Sequence, residues 1–123
     1  MSHKFKKITK MVKFSIFLRK HPSMNHDEFV QYHKTNHANL FTSIGVVKQH
    51  VIKYVQSHAI PVSIPGFPEM YYDGITEIWF DDETSIAKVF GDAEYLKLVR
   101  PDEEKFIAMS ECGFLITKEF SVI

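Results

Sequence analysis

Residues 25–45 read NHDEFVQYHKTNHANLFTSIG, and this stretch constrains the chain most, because only a helix gathers its large side chains on one side. Steps of three and four from Phe29 collect Tyr32, His33, Asn36, His37 and Leu40 on a single face. Asn25 supplies an N-cap oxygen, Asp27 and Glu28 set negative charge in the first turn, and Gly45 suits the exit. An inward stripe with two imidazoles either brings chemistry to a cleft or holds its histidines as hydrogen-bonded core residues.

The remaining elements follow from period and punctuation. Met11 to Arg19 alternates with Val12, Phe14, Ile16 and Leu18 on one face, which predicts a strand, and Pro22 breaks it. From Val46 or Val47 to about Ala59 the β-branched and aromatic content predicts a long second strand, with His50, Ile52, Tyr54, Gln56 and His58 on one face. Ile60 to Asp73 contains three prolines and reads as a long loop with the character of a lid. Gly74 to Phe80 is a third strand, with Ile75, Glu77 and Trp79 on one face and Thr76, Ile78 and Phe80 on the other.

Asp81 to Thr84 caps a second helix that turns Ile86, Val89 and Phe90 inward and ends near Gly91. Asp92 to Val99 predicts a short helix closed by Pro101, followed by an acidic turn at 102–104, with Phe106 and Ile107 packed back on the core. Gly113 to Val122 predicts the last strand. Strand, helix, strand, strand, helix, strand is the split βαβ, or ferredoxin-like, α+β arrangement, with both helices on one face of an antiparallel sheet. Phe17 on the other face then calls for a second subunit as cover.

Fifteen basic and fifteen acidic residues leave no net charge to drive binding to nucleic acid or an anionic membrane. The single Cys112 excludes an internal disulfide and fits a reducing, cytoplasmic setting, and no apolar run is long enough to span a bilayer. Residues 1–10 read as a basic mobile leader and 11–123 as one domain.

The segments YHKTNHANL and Tyr72-Asp73-Gly74-Ile75-Thr76-Glu77-Ile78-Trp79-Phe80 resemble the helix and strand motifs of the EthD family of dimeric α+β barrel proteins, from Met11 to the C-terminus. The resemblance places the family's histidine at His37, its glutamate at Glu77 and its late aromatic at Phe106. Asn39 and His33 depart from it, standing where proline and an aromatic residue are common. It implies a homodimeric dimeric α/β barrel and a site, not a reaction, since members are similar to cofactor-independent small enzymes and to accessory proteins, including fungal decarboxylases of aromatic polyketides.

The expectation is therefore a cofactor-free oxidoreductase or lyase acting on a small apolar, aromatic or carbonyl-bearing molecule. His37 is its general acid or base, with Glu77 or Tyr54 holding the tautomer or donating to an oxyanion. Tyr32, His33, Asn36, His50, His58, Tyr72 and Trp79 are the expected substrate-binding set. No cofactor, haem or metal is expected, although His33 and His37 have a spacing that can share an ion. The alternative is a binding or stress-linked accessory protein that holds an apolar ligand without turning it over.

Overall fold

The computed structural model describes residues 11–123, so the expected leader lies outside the described residues. Four strands, β1 (Val12–Leu18), β2 (Val51–His58), β3 (Gly74–Phe80) and β4 (Gly113–Thr117), form one sheet in the order β2-β3-β1-β4. All neighbours are antiparallel: Phe14 stands opposite Ile78 and Ile116, and Tyr54 also faces Ile78. This is the expected ferredoxin-like α+β fold, with the helices on one face of the sheet.

The first helix, α1, begins at His26 and runs through a π-helical turn, His33–His37, to Ser43. Its start is a capping box: the Asn25 side chain accepts from the Glu28 amide while the Glu28 carboxylate accepts from the Asn25 amide. The wide turn changes which residues share the inner face. Phe29, His33, His37 and Phe41, each four apart, are buried in line, because a π-turn takes more than four residues per turn and offsets the drift of an α-helical i+4 row. Asn36 is thereby turned to solvent, contrary to its expected inward place.

Three boundaries differ from those expected. Gly45–His50 is a short helix, α2, rather than the beginning of β2, because Ile44 and Val47 insert into the core at helical spacing and override their β preference. Gly45 therefore opens α2 instead of closing α1. After α3 (Glu83–Phe90), capped by Asp82, the next helix does not stop at Pro101. It passes from a π-helical stretch, Tyr95–Val99, into Arg100–Phe106, which together form α4. The Arg100 amide bonds to the Tyr95 carbonyl across the widened turn, and Pro101 sits in the first turn of the next segment, where its missing N–H costs least. The residues expected as an acidic turn, 102–104, are therefore helical. Finally, β4 ends at Thr117, short of Val122, where its pairing with β1 stops.

The core lies between sheet and helices. Val12, Ile78 and Phe80 meet Phe41, Ile44, Val47, Val89, Tyr95 and Val99 at one end, and Leu18 meets Phe29, Phe106 and Ile107 at the other. The opposite sheet face carries Lys13, Phe17, Val55, Ile75, Glu77 and Trp79, on the other side of the pleat from those core residues.

The loop after β2 is fastened at its base, where the Ala59 amide donates to the Asp73 carbonyl and His26 bridges the Ala59 carbonyl and the Asp73 carboxylate at 2.8 and 2.9 Å. Gly74 follows, where a Cβ would stand 2.8 Å from the Ser57 carbonyl oxygen and 3.5 Å from the Phe29 and His58 rings. Gly74→Ala must push β2 from β3, so it is expected to lower unfolding free energy by about 1–3 kcal/mol. Urea denaturation checks this, and an unchanged midpoint would contradict so close an approach.

Candidate functional site

A cavity of about 340 Å³ lies between the helix-side face of the sheet and helices α1, α3 and α4. Its walls are largely aromatic, with Phe14, Phe41, Phe90, Phe106 and Phe114, and its polar side chains include His33, His37, Tyr54, Thr76, Tyr95, Arg100 and Glu103. A concave apolar site with a few convergent polar groups is the form that small-molecule sites take.

His37 projects from the π-turn, 7% exposed, with its ring against that of Phe106 at 4.7 Å between centroids. Its Nδ1 lies 2.9 Å from Asp102 Oδ2, and Tyr32 donates its hydroxyl to the other carboxylate oxygen at 2.5 Å. A carboxylate only accepts, so Nδ1 carries a hydrogen, and the tautomer so selected has its lone pair on Nε2. Nε2 has no hydrogen-bond partner among the described residues. Burial and the neighbouring Asp102 push the Tyr32 hydroxyl up to about 12, so it stays a donor.

His33, one turn earlier, is chemically different. Its Nδ1 meets His58 Nε2 at 3.0 Å, its Nε2 meets Thr76 Oγ1 at 2.9 Å, and its backbone carbonyl accepts from Gln56. Burial, reinforced by His37 and His58, pushes its pKa down to about 3, so the ring is neutral and its nitrogens are occupied. His33 pins α1 to β2 and β3.

Tyr54 projects from β2 into the cavity. Its oxygen accepts from Gln56 at 2.7 Å, leaving its own O–H without an acceptor among the described residues. Burial first, then the nearby Glu103 charge, raises its pKa to about 12 against the lowering effect of Gln56, so it too remains protonated. The cavity thus presents an open acceptor, His37 Nε2, and an open donor, the Tyr54 hydroxyl.

The other expected site residues lie elsewhere. Glu77 faces away from the helices and pairs with Lys13 at 2.8 Å, because β-strand parity puts it on the opposite side from Thr76 and Ile78. Trp79 shares that face, with Lys13 and Lys53 ammonium groups 5.4 and 4.8 Å from its ring centroid and its indole N–H on Glu119. His50 ends α2 and does not line the cavity. Tyr32 acts from behind, on Asp102. His58 and Tyr72 line a second hollow of about 320 Å³ beside Phe17 and Ile75. No residue of the loop between β2 and β3 lines the main cavity, so the expected lid is not over it.

Asp102, Glu103, Tyr95 and Arg100 were not among the expected site residues. The signal was present, since Tyr95, Val99, Asp102 and Phe106 are spaced i, i+4, i+7 and i+11 and are all buried. Pro101 hid it by suggesting a break.

The EthD domain model matches residues 21–110. Among solved structures, an ethyl tert-butyl ether d (EthD) family protein from Bacillus halodurans aligns with TM-score 0.66 and 20% identity, covering 89% of this chain and 99% of that one. A dimeric ferredoxin-like protein of unknown function from Thermobifida fusca aligns with TM-score 0.63 and 11% identity over 89% and 91% of the two chains. SnoaB, a cofactor-independent oxygenase from Streptomyces nogalater, aligns with TM-score 0.60 and 8% identity over 93% and 97%. No curated protein matches the chain. Among the described residues, no helix is long and apolar enough to cross a membrane and no cluster of His, Cys, Asp or Glu could hold a metal ion.

The state of His33 fixes a pH dependence. Its folded pKa of about 3 lies below the ordinary histidine value of 6.5, and burial lowers His58 in the same direction. Above about 6.5 neither state takes a proton. Below it the unfolded chain binds protons that the fold refuses, so stability falls as pH falls, by up to about 1.4 kcal/mol per unit for His33 until its folded pKa is reached, and the more exposed His58 acts in the same direction. Urea unfolding between about pH 7 and 5 should show this slope, and His33→Gln should flatten it. A native slope near zero would contradict a buried neutral ring.

Proposed function

The chain belongs to the EthD family, and from that premise we propose that it is a cofactor-independent enzyme that moves protons on a small, apolar, aromatic or carbonyl-bearing molecule. His37 is the general acid and base, Asp102 its positioning residue, and Tyr54 the donor to the developing oxyanion. The observation that carries this reading is the open pair in one aromatic-walled cavity, His37 Nε2 and the Tyr54 O–H.

With the substrate carbonyl oxygen on the Tyr54 hydroxyl, Nε2 takes a proton from an adjacent C–H or O–H. The electron pair left behind moves onto the carbonyl oxygen, where the phenol stabilises it. Asp102 faces the imidazolium so formed, and Tyr32 keeps Asp102 aimed. Return of the proton to the same or a conjugated position completes a tautomerisation, and expulsion of a leaving group instead completes an elimination. The likeness to a cofactor-independent oxygenase supports a fold able to work without a bound cofactor.

We further propose a homodimer formed by packing the open sheet faces, burying Phe17, Val55 and Ile75. The dimeric relative supports this. An interface above about 1,000 Å² is expected, and light scattering at micromolar concentration that finds a monomer would refute it.

The activity is tested without knowing the substrate by incubating a panel of aromatic ketones and phenols in deuterated water and reading carbon-bound deuterium by NMR. His37→Ala should slow exchange by about 10²-fold or more with little change in the melt, and Asp102→Asn should impair it while sparing binding. Ligands that bind but never exchange would favour the accessory-protein reading. A lower melting temperature in His37→Ala with exchange intact would make His37 a core residue.

A further inference from the structure

The polar wall of the cavity carries an uneven charge. Arg100 is the one lysine or arginine among the described lining residues, and its Nε already donates to Glu103 Oε1 at 3.1 Å. The other Glu103 oxygen accepts the Tyr95 hydroxyl at 2.5 Å, and the guanidinium carbon lies 5.8 Å from the Tyr95 ring centroid. The Arg100 side chain is 42% exposed and that of Glu103 only 12%, so water screens the cation more than the anion. Behind His37 stands a second carboxylate, Asp102. One compensated, half-solvated guanidinium is thus set against two little-exposed carboxylates, Glu103 paired with it and Asp102 behind His37.

From this balance, and resting on the reading of the cavity as a small-molecule site, we infer that the site selects a neutral, hydroxyl-bearing aromatic molecule over its carboxylate counterpart, and that Glu103 enforces the choice. A carboxylate entering between Phe14, Phe41 and Phe90 would lose its hydration and gain no uncommitted cation, while the Asp102 and Glu103 charges repel it. A neutral ligand incurs neither cost. Its hydroxyl can donate to His37 Nε2 or to an unused lone pair of Glu103, whose two protein bonds leave capacity to accept more. A carbonyl on the same ring accepts from Tyr54. Glu103 is here a specificity residue. The exclusion is of the kind that builds repulsion against the wrong ligand as well as attraction for the right one.

The test uses naphthol and naphthoate substituted at the same ring carbon, two probes of one shape and different charge, titrated calorimetrically into the full chain at about pH 8, where ordinary carboxylates are ionised and phenols are not. Naphthol should bind at least about tenfold more tightly than naphthoate. Glu103→Gln keeps one acceptor oxygen, turns the other into an amide N–H that only donates, and removes the charge that commits the guanidinium, so it should tighten naphthoate and bring the ratio below about threefold. Naphthoate binding the native protein as tightly as naphthol would overturn this inference alone, whether or not the variant folds. A native-like ratio in a folded Glu103→Gln would overturn the part assigned to Glu103. Failure of both probes to bind would overturn the inference together with the cavity reading beneath it.

Discussion

The seam between α1 and α4 is the contact on which the rest of the molecule depends. Phe106 sits at its centre, with ring centroids 5.9, 5.3, 5.5 and 4.7 Å from those of Phe29, Tyr32, His33 and His37. A buried aromatic at that junction contributes area burial and ring–ring geometry at once. It also sets a register. Asp102 precedes Phe106 by four residues on α4, so docking the ring among those of α1 delivers the carboxylate to His37 and to the Tyr32 hydroxyl. Packing and site geometry are thus one constraint.

Two π-turns make the seam possible, one in each helix. In α1 the turn aligns Phe29, His33, His37 and Phe41, and in α4 it lets the helix carry Pro101 without stopping. Such turns leave main-chain bonds of poorer geometry than an α-helix and are frequent where a helix must present a functional residue. Their cost is offset by what they align, since a regular helix would rotate His37 away from the line begun at Phe29.

Two histidines on the same inner face therefore have different fates, and partners decide which. His33 has an acceptor or donor at each nitrogen and is held neutral by burial. His37 has a carboxylate on one nitrogen and the cavity on the other. The sheet divides its polar residues in a similar way. Tyr54 and Thr76 fall on the cavity side, whereas Lys13, Glu77 and Trp79 form a separate charged and aromatic cluster on the face away from the helices. The thickness of one sheet separates the cavity from that cluster.

The sequence alone determined what depends on neighbours along the chain. The period of α1 with its Asn25 cap, the alternation of β1 and β3, the order of elements and hence the ferredoxin-like fold were all legible, because a helix face and a strand face are set by local backbone geometry. The inward place of His37 was legible for the same reason, whereas the side to which Tyr54 turns was not. Other features rest on contacts between distant segments, and only the tertiary structure decided them. The helical form of Gly45–His50 came from Ile44 and Val47 finding the core, against their own preference. The carboxylate beside His37 proved to be Asp102 and not Glu77, because strand parity says that two faces differ but not which one meets the helices, and because α4 continues past a proline that locally signals an end. Period is a property of the chain, whereas partnership is a property of its packing.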